Sequence, residues 1–449
     1  MAAAHAPCLT SGWPRQGSAC QHRGMDFLRF FASRVREKLW IKPLAVCLLS
    51  IVGALLAKLV DGLAVGSTLP GVSSSSVEDL LKLIAASMLV MATLAVGSMV
   101  AAYASAGAAA TPRAFPLVVA DDLSQNALSS FIGAFIFSVV AFTSLSNGFY
   151  GRGGRFVLFV GALAVLAFVL VTFVRWVDGI ARLGRLGSVI EKVEAATLDA
   201  LQARRAAPYL RGRAAGAPLP QSRPAYAARI GYVQYIDMAA LQKCAETANA
   251  CIQVEALPGT FAAPGRPLAW ISDGSASEVH LEPAQVAECF LIGSDRKFDQ
   301  DPRFGLVVLS EISSRALSPA VNDPGTAVQV IGVLLRLLAA WGAPDENAGK
   351  QSVLHDRVLV PALELSDMFD DAFAAIERDG AGTLEVGVRL QKALAALASL
   401  DHPAMRVEAR EHARRALQRA EGKLDATDFA ELEEAATLVA QAPSPGPIA

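Results

Sequence analysis

Nineteen consecutive uncharged residues, FVLFVGALAVLAFVLVTFV at Phe156–Val174, constrain this chain more than any other feature. About 20 apolar residues in a helix cross a hydrocarbon core of about 30 Å. The run continues as RWVDGIARLGRLGSVIEKVEAATLDALQARR, in which Ile180, Leu183, Leu186, Ile190, Val193 and Leu201 return mostly at three- and four-residue steps. That beat belongs to an amphipathic helix in water. The stretch Phe156–Arg205 therefore predicts a joint, with a membrane part before it and a soluble part after it.

Three further segments pass the same length test: Pro43–Val60, Leu83–Ala104 and Ala127–Ser146. The 53% hydrophobic and 18% charged composition sits on the membrane side of ordinary ranges. Lys and Arg crowd the flanks before the first span (Arg29, Arg34, Arg36, Lys38, Lys42) and after the fourth (Arg175, Arg182, Arg185, Lys192), while 61–79 has none. By the positive-inside rule both termini are cytoplasmic. Residues 1–24 are polar and unpatterned, and MDFLRFF from Met25 makes a more natural start than Met1.

The second span is rich in small residues, Gly97, Ser98 and Ala101 among them. Small side chains let helices approach closely in lipid, so this span is expected at the bundle centre or a subunit interface of a homo-oligomer; the alternative is a pore lining. No Asp, Glu, Arg or His falls mid-span, which argues against a proton relay.

After the joint, 207–229 reads as a Pro/Gly/Arg-rich linker. From Ile230 the sequence alternates between strands (IGYVQYI, CIQVEAL) and short helices, half of a barrel-like or hammerhead unit. Two Asp-Pro pairs, Asp301-Pro302 and Asp323-Pro324, each place an N-cap before a first-turn proline and predict a helical hairpin. Everything from VLVPALELS onward reads as helix. The expected fold class is an α-helical integral membrane protein with four transmembrane helices and a C-terminal cytosolic α+β, mostly helical, domain. Its expected parts are 1–42, an N-terminal segment; 43–178, the spans; 179–229, amphipathic helix and linker; 230–293, a small α+β unit; 294–441, a helical domain; and 442–449, a tail.

Little here points to catalysis. There is no Gly-rich phosphate loop, GxSxG or HExxH. His280, His355, His402 and His412 read as surface or capping residues. Six scattered cysteines, Cys8, Cys20, Cys47, Cys244, Cys251 and Cys289, contain no CxxC pair and give no metal site. Asp367, Asp370 and Asp371 share a helix face that reads as solvated rather than metal-binding. The net charge of -2 argues against nucleic acid. No cofactor is expected. The polar groups to test in the hairpin are Arg315, Ser318, Asn322, Asp323 and Thr326, whose simplest role is cap and turn.

Three stretches carry a resemblance: ATPRAFPLVVADDLSQNALSSFIGAFIFS, the pair GYVQYID and PGTFAAPGRPLA, and above all FDQDPRFGLVVLSEISSRALSPAVNDPGTAV. In this order they resemble bacterial predicted membrane proteins grouped as domain-of-unknown-function family 2254. The resemblance implies a bacterial inner-membrane protein with N-terminal spans and a cytosolic C-terminal domain, and it implies no activity. With no catalytic constellation, the expected function is membrane-anchored sensing or partner binding; the alternative is an oligomeric channel gated by tension or by the cytosolic domain.

Overall fold

The computed structural model describes residues 41–62, 70–119, 122–180, 185–219, 221–273, 280–344 and 352–441. They fall into two compact units that part between Lys192 and Val193. Residues 1–40 of the expected N-terminal segment, with Met25, and Asp121 and the tail 442–449 lie outside the described residues.

The first unit holds α1 (Ile41–Leu56), α2 (Ser74–Ala109), a short α3 (Phe115–Val119), α4 (Asp122–Ser146) and α5 (Arg152–Ile180). α2 starts at Ser74, well before the apolar run at Leu83. Lys82 supports those polar first turns through i,i+4 and i,i+3 pairs with Glu78 and Asp79. The central helix is α4, which packs against α1, α2 and α5. Its buried face, Ala127, Phe131, Ala134, Ser138, Ala141 and Leu145, repeats at alternating four- and three-residue steps. Small residues on that face let backbones close in: a Cβ at Gly133 would lie 2.3 Å from Val46 Cγ1 of α1. α2 also buries small residues, Ala95 and Ala102.

A 3-10 turn, Ala57–Gly62, follows α1 and brings Asp61 to the start of α5. Its carboxylate accepts from the amides of Gly151 and Gly154, at 2.7 Å each. The amides at a helix start have no partner within the helix, and a carboxylate there also meets the positive dipole end. Tyr150 donates to the Ala54 carbonyl at 2.7 Å and closes the same corner.

α6 (Leu186–Ala206) leads into the second unit. The continuous helix expected through the joint has its middle, 181–184, outside the described residues. The second unit continues with β1 (Gly212–Ala214), β2 (Arg223–Tyr226), β3 (Gly231–Ile236), α7 (Met238–Thr247), β4 (Ala250–Val254), β5 (Phe261–Ala262), β6 (Pro267–Asp273), α8 (Pro283–Glu288) and β7 (Phe290–Gly293). Then come α9 (Pro302–Ala316), α10 (Pro324–Gly342), β8 (His355–Val360), α11 (Leu365–Asp379), α12 (Leu384–Ala398), α13 (Pro403–Ala420) and α14 (Ala426–Ala440).

Two readings are corrected here. The 207–229 stretch holds strands β1 and β2, and VLV before Pro361 is strand β8 rather than helix. The five-stranded sheet runs β1-β8-β4-β6-β2, and a separate antiparallel sheet runs β5-β3-β7. β8 lies parallel between β1 and β4, with Val358 and Val360 fully buried, a place that suits β-branched side chains. β2 is an edge strand, where Pro224 has no ladder hydrogen bond to lose on its open side. A mixed sheet beside a small antiparallel one replaces the expected half-barrel. The helices α9–α14 stack as an array: α9 packs on α11, α10 on α12, and α12 against α13 and α14.

Candidate functional site

A series of polar contacts in the second unit lies along α6. Glu194 takes a two-pronged contact from Arg336 of α10, both bonds 2.7 Å. One turn on, buried Thr197 faces Gly305 of α9 so closely that a Cβ there would lie 1.8 Å from its hydroxyl oxygen. Arg204 is buried and donates to the Gln300 carbonyl at 3.2 Å. Burial pulls its guanidinium down to about 10, opposed by the charge of nearby Asp301. Arg205 donates to the Ala340 and Ala343 carbonyls at the end of α10, which a helix leaves without internal partners.

Gln300 and Asp301 form the hub of this seam. The Ile236 amide of β3 donates to Gln300 Oε1 at 3.3 Å. Asp301 accepts from Arg296 at 2.7 and 3.0 Å and caps α9 through the Phe304 amide at 3.2 Å. Burial pushes its carboxyl up, against the pull of Arg296. The β4–β5 turn fits beneath it only because residue 259 is glycine: φ is +94°, and a Cβ would lie 2.3 Å from Asp301 Oδ2. Two residues thus tie α6, the β layer and the helical array together. Asp301 was legible as a cap; its burial and its neighbours were not.

The hairpin residues singled out from sequence form an exposed, self-capped turn between α9 and α10. Ser318 donates to the Arg315 carbonyl at 2.7 Å. Asn322 takes a left-handed φ of +49°, which Asn tolerates better than most residues. Asp323 accepts from the Thr326 hydroxyl at 2.6 Å and its amide at 3.1 Å, and these bonds hold its carboxyl below the ordinary range. The Arg315 side chain lies exposed at the same end. This set of contacts is a cap and a turn.

In the first unit, Gly97 and Ala101 lie one turn apart on an exposed face of α2. A Cβ at Gly97 would meet nothing within 4 Å. Ser98 bonds back to the Leu94 carbonyl at 2.9 Å. Within this chain these residues do not pack at the bundle centre.

One site was missed outright. His412, read as a surface or capping residue, is buried, and its Nδ1 meets the fully buried carboxylate of Glu377. Arg415 and Arg419 stand 3.6 and 3.8 Å from the other Glu377 oxygen. The available signal was His412's place beside the apolar stripe Ala409, Ala413, Ala416 and Ala420 of α13. The three aspartates are ion-paired rather than merely solvated: Arg303 holds Asp367 and Asp371, and Arg415 holds Asp370. His402 does cap α13, accepting from the Met405 amide.

Among the described residues, five helices are long and apolar enough to cross a membrane by length and composition: four in the first unit, and α10. The class these define is a predicted membrane protein. The family model for predicted membrane proteins of DUF2254 matches residues 36–396, and the chain belongs to that family. An uncharacterized protein of Mycobacterium bovis is 32% identical over 129 residues, 27% of this chain and 25% of the relative. An uncharacterized protein of Mycobacterium tuberculosis matches to the same extent. This chain thus spans about a quarter of the curated relatives it matches. No solved structure matches it.

Proposed function

We propose that this is a multi-pass protein of the bacterial inner membrane, without enzymatic activity, whose cytosolic C-terminal unit senses a ligand or binds a partner. α1, α2, α4 and α5 cross the bilayer, both termini face the cytoplasm, and α10 is a core helix of the cytosolic unit. α6, the first helix after the spans, passes the state of that unit to them.

The observation that carries this reading is the fastening of α6. Glu194, Thr197, Arg204 and Arg205 are all held by α9, α10 or the residues just before α9. A passive tether needs no such fixings, whereas a lever needs them at several points along its length. The test is complementation of a deletion strain whose envelope-stress phenotype has been measured. Arg204→Glu and Gly305→Val, inserted and expressed like wild type, are expected to fail. Full restoration by a chain ending at Ala206 would make the cytosolic unit dispensable and sink the reading.

A second reading is favoured by the exposed small face of α2. Gly97 and Ala101 suit a helix–helix contact between copies of the chain, as in a homo-oligomeric channel. Gly97→Leu then abolishes flux across reconstituted bilayers. Flux unchanged from wild type would count against a channel built on this face.

A further inference from the structure

We propose that the end of the β layer formed by residues 226–232 and 261–267 is a contact surface for anionic lipid headgroups. β2 ends with Tyr226 opposite Pro267, and β3 begins with Gly231 opposite Ala262. Both connecting segments therefore pass between the same two sheets at the same end of the layer. The second closes on a tight turn: the Arg266 amide donates to the Ala263 carbonyl at 3.1 Å, and Gly265 takes a φ of +80°. The two segments thus lie together at one end of the layer.

Its surface is unusual for water. Ile230 is 63% exposed, Tyr226 48% and Phe261 43%, and the Phe261 ring lies edge-on to Tyr232 with centroids 5.0 Å apart. Exposed Arg229 and Arg266 flank these side chains, and no Asp or Glu occurs in 223–232 or 256–270. Exposed aromatic and aliphatic side chains suit the fluid boundary between headgroups and acyl chains. Arg229 and Arg266 suit an anionic leaflet, which attracts each basic residue at its surface by about fivefold in binding; exposed Glu255, whose amide bonds the Leu268 carbonyl, borders the second segment. A protein partner would need a pocket shaped to these side chains, whereas a bilayer conforms to them. The proposal rests on the membrane-tethered reading above only in needing a bilayer within reach. Its test reads lipid contact directly, so it can fail while α6 coupling survives, or stand while coupling fails.

The experiment uses the full chain with benzoylphenylalanine replacing Phe261, reconstituted in vesicles of phosphatidylglycerol and phosphatidylethanolamine. After irradiation, the peptide carrying position 261 is analysed by mass spectrometry. Lipid adducts are expected there, and they should fall about 25-fold in Arg229→Ala/Arg266→Ala, the product of two fivefold effects. They should also fall in Ile230→Ser, which leaves both charges in place, and be absent when the probe replaces Val407 on the exposed side of α13. Adducts to a second copy of the chain, no adducts at all, or equal yields in pure phosphatidylcholine would overturn the proposal.

Discussion

α5 and α10 pass the same test for a membrane helix and differ in where their apolar surface goes. α5 runs 29 residues, and its most apolar 18-residue stretch has a mean hydropathy of 3.0 with 17% buried in its own unit. α10 runs 19 residues, and the same measure gives 1.5 with 56% buried. Phe168, Leu170, Val171 and Val174 of α5 point away from the protein, while Val330, Ile331, Leu334 and Leu337 of α10 are enclosed by it. Hydropathy reports how apolar a helix is, and packing decides whether lipid or protein meets it. α10 also keeps a wet edge, where Gln329 is exposed and Arg336 reaches Glu194 of α6.

The comparison can be broken most forcefully where the second unit buries charge, which no proposed span does mid-helix. Glu377→Ala takes away the buried partner of His412 Nδ1 and leaves only Asp370 at 3.6 Å, a loss worth about 3–5 kcal/mol. Thermal unfolding followed in detergent should show the second unit melting well before the first. An unchanged melt would mean that the pair is not formed.

Next comes a matched pair of truncations. Leu334→Ala in α10 should cost about 2–5 kcal/mol, since its side chain is fully enclosed. Val171→Ala in α5, 59% exposed, should cost less than about 1 kcal/mol, because in the proposed span lipid fills the space. Equal costs would erase the distinction between the two helices.

Smaller effects sharpen the picture at the ends of α10. Asp323→Ala removes an N-cap, worth about 1 kcal/mol. Because the folded state lowers the Asp323 pKa, this contribution is present above the unfolded value of about 3.9 and is lost as pH falls through the folded value. The cost of the substitution should therefore vanish in acid, and a cost that grew in acid would contradict the assignment. Least affected is the exposed ion pair: Glu194→Ala should cost at most about 1 kcal/mol and less in high salt.

These regions also differ in how much of them could be read. The four long apolar helices, the two Asp-Pro caps and strands β3 and β4 follow from periodicity and local chemistry, which one chain segment carries by itself. β8 was missed because a short apolar run ending at a proline looks alike as helix or strand until its neighbours are known. The 207–229 strands were missed because their Pro and Arg content signals a loop, and only an edge position excuses it. The hub at Gln300–Asp301 and the Glu377–His412 pair are long-range meetings. Their partners lie far apart in sequence, so no local window contains both. Gly97 and Ala101 show a related limit: small residues mark a close contact without naming the partner, and within this chain both lie on an exposed face of α2.

Amide hydrogen exchange of the full chain in lipid nanodiscs tests the central claim most directly, by comparing residues 193–206 of α6 with α9 and α10. If α6 is built into the second unit, its amides exchange with the same slow, cooperative protection as those two helices. Arg204→Glu should release α6 before the rest. Exchange of 193–206 in wild type as fast as the 215–219 loop would contradict the account, since a helix that opens on its own transmits nothing.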